Sequence, residues 1–129
     1  MPRATKLDRA GKLKLSEADV ARQVTDFLEF RGWRGLKTGY GEIHRDGAVV
    51  ERVGEEGMPD RQFLRYKIAV YAEVIWAEFK RPKCAGDFGG RLRKAQREWL
   101  FYEAARGAAC VVVDDLGQFQ KWYMANFAR

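Results

Sequence analysis

The residues able to do chemistry fall into a few short groups. Glu78-Phe79-Lys80 sets a carboxylate and an ammonium two positions apart. On a strand such residues share a face, so both charges project to one side, about 6–7 Å apart, and Phe79 points the other way. Two charges closing an otherwise apolar strand are costly unless they pair or function. Gly57-Met58-Pro59-Asp60 places an acid after a turn defined by Gly and Pro. Gln96 precedes Trp99 by three residues, which brings a polar side chain onto an inward helical stripe. Glu17 belongs to the first turn of another helix. Singly, each has an ordinary explanation: a strand-end salt bridge, a turn aspartate, an acid facing a helix dipole.

As a set, these residues fit a metal-dependent phosphodiesterase. Asp60 and Glu78 are hard oxygen ligands for Mg²⁺ or Mn²⁺, and the Phe79 backbone carbonyl can add a third. Lys80 suits holding or activating a water and stabilising developing negative charge. Glu17 is a candidate contact to a metal-bound water or a second metal.

The surrounding pattern must position these groups. Ser16-Glu17-Ala18-Asp19 reads as an N-cap with a capping box, and Val20, Val24, Phe27 and Leu28 recur on one helical face. The expectation is a helix over 16–31 with Gly32 as its C′ residue. Trp33–Tyr40 reads as a strand, and Asp46-Gly47 as the turn of a hairpin joining Glu42–Arg45 to Ala48–Val53. An extended piece follows Pro59. Residues 70–80, apolar on both faces, read as an inner strand. Lys83–Gly90 is a glycine-containing loop. Arg91–Arg106 is a helix with Leu92, Ala95, Trp99 and Leu100 as its stripe, and Trp99 is expected in the core. Ala109–Val113 is a short buried strand. Leu116–Phe127 is a last helix packing through Phe119, Trp122 and Tyr123. This order predicts an α/β fold with a mixed β-sheet flanked by helices.

In this order, the motifs resemble the VRR-NUC family of the PD-(D/E)xK nuclease superfamily. Pro59-Asp60 stands for the "PD", Glu78-Phe79-Lys80 for the "ExK", and the following helix carries Gln96-Arg97-Glu98-Trp99. Ser16–Val20, running on to Arg31-Gly32-Trp33, looks like the family's first helix with its acid. The resemblance covers roughly residues 16–116. It implies a restriction-endonuclease-like core, Asp60, Glu78, Lys80, Glu17 and Gln96 as catalytic residues, and Gln96 as the group that orients Lys80. The segment between Asp60 and Glu78 departs from the family in being more basic, with Arg61, Arg65 and Lys67, and the Asp46-Gly47 hairpin is an elaboration. Standalone members look like homodimers acting on branched DNA such as four-way junctions, and two sites about a two-fold axis suit paired nicks. The dimer face expected here is the hairpin or the aromatic C-terminal segment.

Composition agrees with a nucleic-acid partner. The 129 residues carry 24 Lys+Arg against 18 Asp+Glu, a formal charge of +6, which favours polyanions. Lys83, Arg91, Arg93, Lys94 and Arg97 cluster after the motif strand and are candidate backbone contacts, as is the helix start after Gly89-Gly90. With no base-reading module in sight, selectivity is expected from DNA shape. Residues 1–15, with Arg3, Lys6, Arg9, Lys12 and Lys14, form a basic arm expected to fray, either a solvated tail or a phosphate-contacting arm. The length allows one domain, 16–129, beyond that arm. No run approaches the ~18 apolar residues of a membrane span, and the start lacks an apolar signal core, so a cytoplasmic or nucleoid-associated, non-secreted protein is expected. Cys84, Cys110 and the single His44 are too few for structural zinc, and reduced thiols are favoured over a disulfide. Three other readings stay open: a less selective flap or single-strand nuclease, a nuclease-fold protein that binds DNA structure without cutting it, and a basic regulatory or inhibitory module that binds RNA or a nucleoprotein.

Overall fold

Ser16 starts the first helix by the expected reciprocal cap: its hydroxyl accepts from Asp19 N–H, and the Asp19 carboxylate accepts from Ser16 N–H. Val20, Val24 and Leu28 are completely buried along one face. The helix stops in a Schellman turn. Gly32 takes φ +87°, its N–H donates to Glu29 C=O, and Trp33 N–H donates to Leu28 C=O.

The computed structural model describes residues 6–127; Arg3 and the rest of residues 1–5 lie outside them. The elements are α1 (Glu17–Glu29), β1 (Arg34–Lys37), β2 (Gly41–Arg45), β3 (Ala48–Val53), β4 (Arg61–Ile68), β5 (Tyr71–Phe79), α2 (Lys94–Ala105), β6 (Ala109–Val113) and α3 (Leu116–Asn126). Four strands form a mixed sheet in the order β1-β4-β5-β6. β5 is an inner strand, antiparallel to β4 and parallel to β6. Helices flank this sheet, so the coarse α/β expectation holds. β2 and β3 form a separate two-stranded sheet around Asp46 (φ 53°) and Gly47 (φ 79°), the left-handed pair that a two-residue hairpin turn needs.

One sheet face is the core. Phe63, Ile75, Ala77 and Phe79 pack with Val20, Val24 and Leu28 of α1 and with Phe119 and Tyr123 of α3. The Tyr123 hydroxyl accepts from both Trp33 Nε1 and Arg65 Nη1, each at 3.1 Å, so the polar tip of a buried ring is satisfied. Arg65 is in turn paired with Glu73 at 2.8 Å. α2 covers the opposite face, where Trp76 meets Trp99 edge-on at 4.9 Å.

Several expectations change. Trp99 is only half-buried, and its indole N–H donates to Glu55 at 2.8 Å. That bond needs the ring near the surface, which keeps Trp99 out of the core. The first strand after α1 is shorter than 33–40, and α2 begins at Lys94 rather than Arg91. Residues 6–14 form a small turn-back instead of a frayed arm, with a bridge between Leu7 and Leu13. The aromatic C-terminal segment gives Phe119 and Tyr123 to the core and keeps Met124 exposed, and the hairpin strands are exposed along nearly all their length. Cys84 and Cys110 are both free thiols. Among the described residues no helix is long and apolar enough to cross a membrane.

Candidate active site

The site forms where β1, β4 and β5 end together. In the β4–β5 ladder Arg61 lies opposite Ala77. One step outward along that register sets Asp60 opposite Glu78, and directly opposed residues share a face. The β1 side continues the same way: Thr38 N–H donates to Asp60 C=O at 2.9 Å, and the Thr38 hydroxyl donates to Pro59 C=O at 2.8 Å. The turn carrying Asp60 is therefore stitched to β1 by backbone and side chain alike.

Gly57 explains why that turn begins with glycine. It is buried at φ +87°, and a Cβ there would lie 2.1 Å from Ala95 C=O and 3.0 Å from Gln96 N. The Gly57 backbone thus rests directly on the first turn of α2. Asp60 and Gln96 are set relative to one another by that single close approach.

Glu78 is 2% exposed. Its Oε1 accepts from Gln96 Nε2 at 2.9 Å and lies 3.5 Å from Lys80 Nζ. Gln96 Oε1 accepts from Lys80 Nζ at 3.0 Å and from the Arg93 backbone N–H at 2.9 Å. These partners fix the amide's orientation, because a carboxylate requires the NH₂ end and an ammonium requires the oxygen. Gln96 so serves both as the N3 residue that closes the start of α2 and as the bridge between the two charges. Glu78 Oε2 is buried with no hydrogen-bond partner. Burial, then the nearby Asp60 charge, push the Glu78 carboxyl up to about 7, against the opposing pull of Lys80 and of the Asp60 backbone N–H.

A buried carboxylate oxygen without a hydrogen bond, close to a second carboxylate's charge, is what a hard divalent cation satisfies. Among the described residues no group of three or more His, Cys, Asp and Glu side chains gathers anywhere. The residues that could hold such a cation are Asp60, Glu78 and the Phe79 carbonyl, a sparse set of the kind that would suit Mg²⁺ or Mn²⁺. Glu17 is exposed in the first turn of α1 and does not join Asp60 and Glu78 in a three-carboxylate group. The structure places it at the surface start of a helix, where it meets the positive end of the dipole.

The basic residues divide. Arg93 and Lys94 line a cleft of about 510 Å³ with Tyr40, Glu56, Gly57 and Glu98, beside the turn that carries Asp60. Lys83 and Arg91 are exposed on the loop that follows β5. Arg97 turns away: it donates to Leu92 C=O at 3.4 Å and lines the groove between α2 and β6.

Sequence reasoning missed the residues that back these groups. Gly90 packs on Lys80, with a built Cβ falling 3.3 Å from Lys80 Cβ, and its N–H donates to Arg81 C=O. Asp87 ties the same loop, pairing with Arg81 at 2.9 Å and accepting from Gly89 N–H at 2.9 Å. The Gly89-Gly90 pair was the visible signal for this close approach; nothing marked Asp87.

Comparison with protein-family models, with curated proteins and with solved structures returns no match for this chain.

Proposed function

We propose that this chain is a metal-dependent endodeoxyribonuclease of the VRR-NUC type, built on a restriction-endonuclease-like core. The observation that carries the reading is the buried Oε2 of Glu78, which completes no hydrogen bond, near the Asp60 charge and beside a lysine tethered by Gln96. The ordered motifs and the mixed sheet between helices support it. Mg²⁺ or Mn²⁺ bound there would neutralise charge on the scissile phosphate and make an attacking water more acidic.

The chain's own residues do the positioning. Lys80, whose side chain is 14% exposed, is fixed by Gln96 Oε1 and Glu78 Oε1 and keeps a donor for an oxygen of the reacting phosphate. In so confined a place its charge is worth more than at the surface, and it stabilises the negative charge that develops as water adds and the P–O ester bond breaks. Gln96 bridges the Lys80–Glu78 pair, accepting from the ammonium and donating to the carboxylate, and so fixes both groups in place. Arg93 and Lys94, in the adjoining cleft, receive flanking phosphates and read no sequence.

Selectivity then rests on DNA shape. A homodimer with two-fold-related sites cutting four-way junctions is the leading form of the proposal, with the β2–β3 hairpin as the dimer face. The test is cleavage of labelled four-way junction, flap, duplex and single-stranded DNA with Mg²⁺, Mn²⁺ or EDTA. Paired nicks in the junction that need metal and fall by about 10³-fold or more in Lys80→Ala are expected. Comparable cutting of flaps or single strands would replace the junction reading. Tight binding with no cutting in any metal would overturn the catalytic one.

A further inference from the structure

The Lys6–Lys14 segment, KLDRAGKLK, carries four cations against one acid, yet it is folded and held. Asp8 N–H donates to Lys12 C=O and Lys14 N–H to Lys6 C=O, and the Asp8 carboxylate caps the turn through Ala10 and Lys12 N–H, each at 2.9 Å. This strap is latched to the loop after β5. Asp8 accepts from Ala85 N–H at 3.1 Å, Arg9 N–H donates to Ala85 C=O at 3.2 Å, and Lys14 pairs with Asp87 at 3.1 Å. The Arg9 side chain lies over Gly86, where a Cβ would come within 2.8 Å of its Nε.

Apolar burial does not drive this docking. Leu7 and Leu13 are 62% and 63% exposed. Polar latches hold a cationic strap on the loop that also carries Lys83 and Arg81, against the repulsion of like charges. Lys14–Asp87 is the strap's one salt bridge among the described residues; Lys12 is drawn to the Asp8 carboxylate of its own turn, and Lys6, Arg9 and Lys12 are all exposed to an outside partner. The latching loop is the one whose Gly90 backs Lys80, and the strap leads straight into α1. The strap therefore stands at the same end of the sheet as the candidate site.

We propose that the Lys6–Lys14 strap is a second phosphate-binding surface, on which Lys6, Arg9 and Lys12, continued by Lys83, hold the DNA backbone at a distance from the scissile phosphate. The inference rests on the nuclease reading. Polyanion charge offsets the clustered cations, and each phosphate neutralised releases counterions, so the contact has a defined salt signature.

The test is binding, not cutting. Fluorescence anisotropy of a labelled four-way junction and of duplex DNA is measured across a salt series, with Lys80→Ala as the parent protein. A Lys6→Gln, Arg9→Gln, Lys12→Gln variant of that parent is compared with Lys67→Gln, Arg106→Gln, Lys121→Gln, which removes three exposed charges elsewhere. The strap variant is expected to lose roughly 2–3 from the slope of log K against log salt and to bind roughly 10- to 100-fold more weakly, with the second variant near the parent. An unchanged slope in the strap variant, or an equal loss in both variants, overturns the strap's role while leaving the cleavage result standing. A parent that binds none of these DNAs overturns both.

Discussion

Along β5, Ile75, Ala77 and Phe79 face α1 and α3, whereas Val74, Trp76 and Glu78 face α2. The first set is 0–1% exposed and joins the apolar cluster. The second is half-buried except for Glu78, whose burial leaves an oxygen unpartnered. The two faces have divided the work of one strand. The α1/α3 face supplies the dry packing that stabilises the fold, and its polar atoms, such as the Tyr123 hydroxyl, are satisfied. The α2 face carries a carboxylate in a state unfavourable for folding, which survives because the other face secures the sheet.

The strongest way to break this division is to empty the apolar face. Phe63 is completely buried opposite Ile75. Phe63→Ala is expected to destabilise the protein by about 3–5 kcal/mol, read from urea unfolding. Cleavage per folded molecule should stay near wild type at low temperature, because Asp60, Glu78 and Lys80 touch the other layer. A loss of turnover without a loss of stability would show that the faces are coupled.

Gly57→Ala strikes the other face. The new methyl would sit 2.1 Å from Ala95 C=O at a backbone angle of φ +87°. The turn must lift from α2, and Asp60 moves with it. A cost of about 2 kcal/mol in stability is expected, smaller than for Phe63→Ala, together with a more than tenfold rise in the metal concentration needed for half-maximal cleavage. Unfolding and metal titration of the same sample separate the two effects. A variant with wild-type metal response would mean that the contact with α2 does not position Asp60.

The comparison also shows why parts of the molecule were legible in the sequence. α1 was readable to its caps, because Ser16, Asp19 and Gly32 act within a few residues and Val20, Val24 and Leu28 keep a helical period. The hairpin was readable from Asp46-Gly47, and the inner strand from β-formers on both faces. Glu78, Lys80 and Gln96 were singled out, and the structure joins them by two hydrogen bonds, Lys80 to Gln96 and Gln96 to Glu78. What stayed hidden depends on contacts remote in the chain. Gly57 against Ala95, Asp87 against Lys14, and Trp99 with Glu55 leave no local pattern. Glu17 enters the candidate set through the resemblance, and a helix-dipole acid at the surface has the same sequence signature as a ligand. The strap was read as fraying because its charge density suggests solvation. Asp8 overrides that locally by capping the turn, and its hydrogen bonds hold its carboxyl below the usual range.

The smallest expected effect sharpens the comparison furthest, because it asks whether the α2 face is strained by its own carboxylate. The Glu78 carboxyl stands at about 7 in the folded protein against 4.5 for the free side chain. An acid whose folded value is raised binds its proton more tightly when folded. Its contribution to stability is therefore fully present below pH 4.5 and is lost as pH rises to 7 and above. Without metal, wild type should lose on the order of 2 kcal/mol between pH 5 and pH 8 relative to Glu78→Gln, so the variant melts higher at pH 8. Mg²⁺ should reverse the order at pH 8 by binding only the folded wild-type carboxylates, and should do little at pH 5, where Glu78 holds its proton. Melting curves of both proteins at the two pH values, with Mg²⁺ and with EDTA, check every sign at once. If Glu78→Gln is no more stable than wild type in EDTA at pH 8, the carboxylate is not strained, and the contrast between the faces reduces to one of packing.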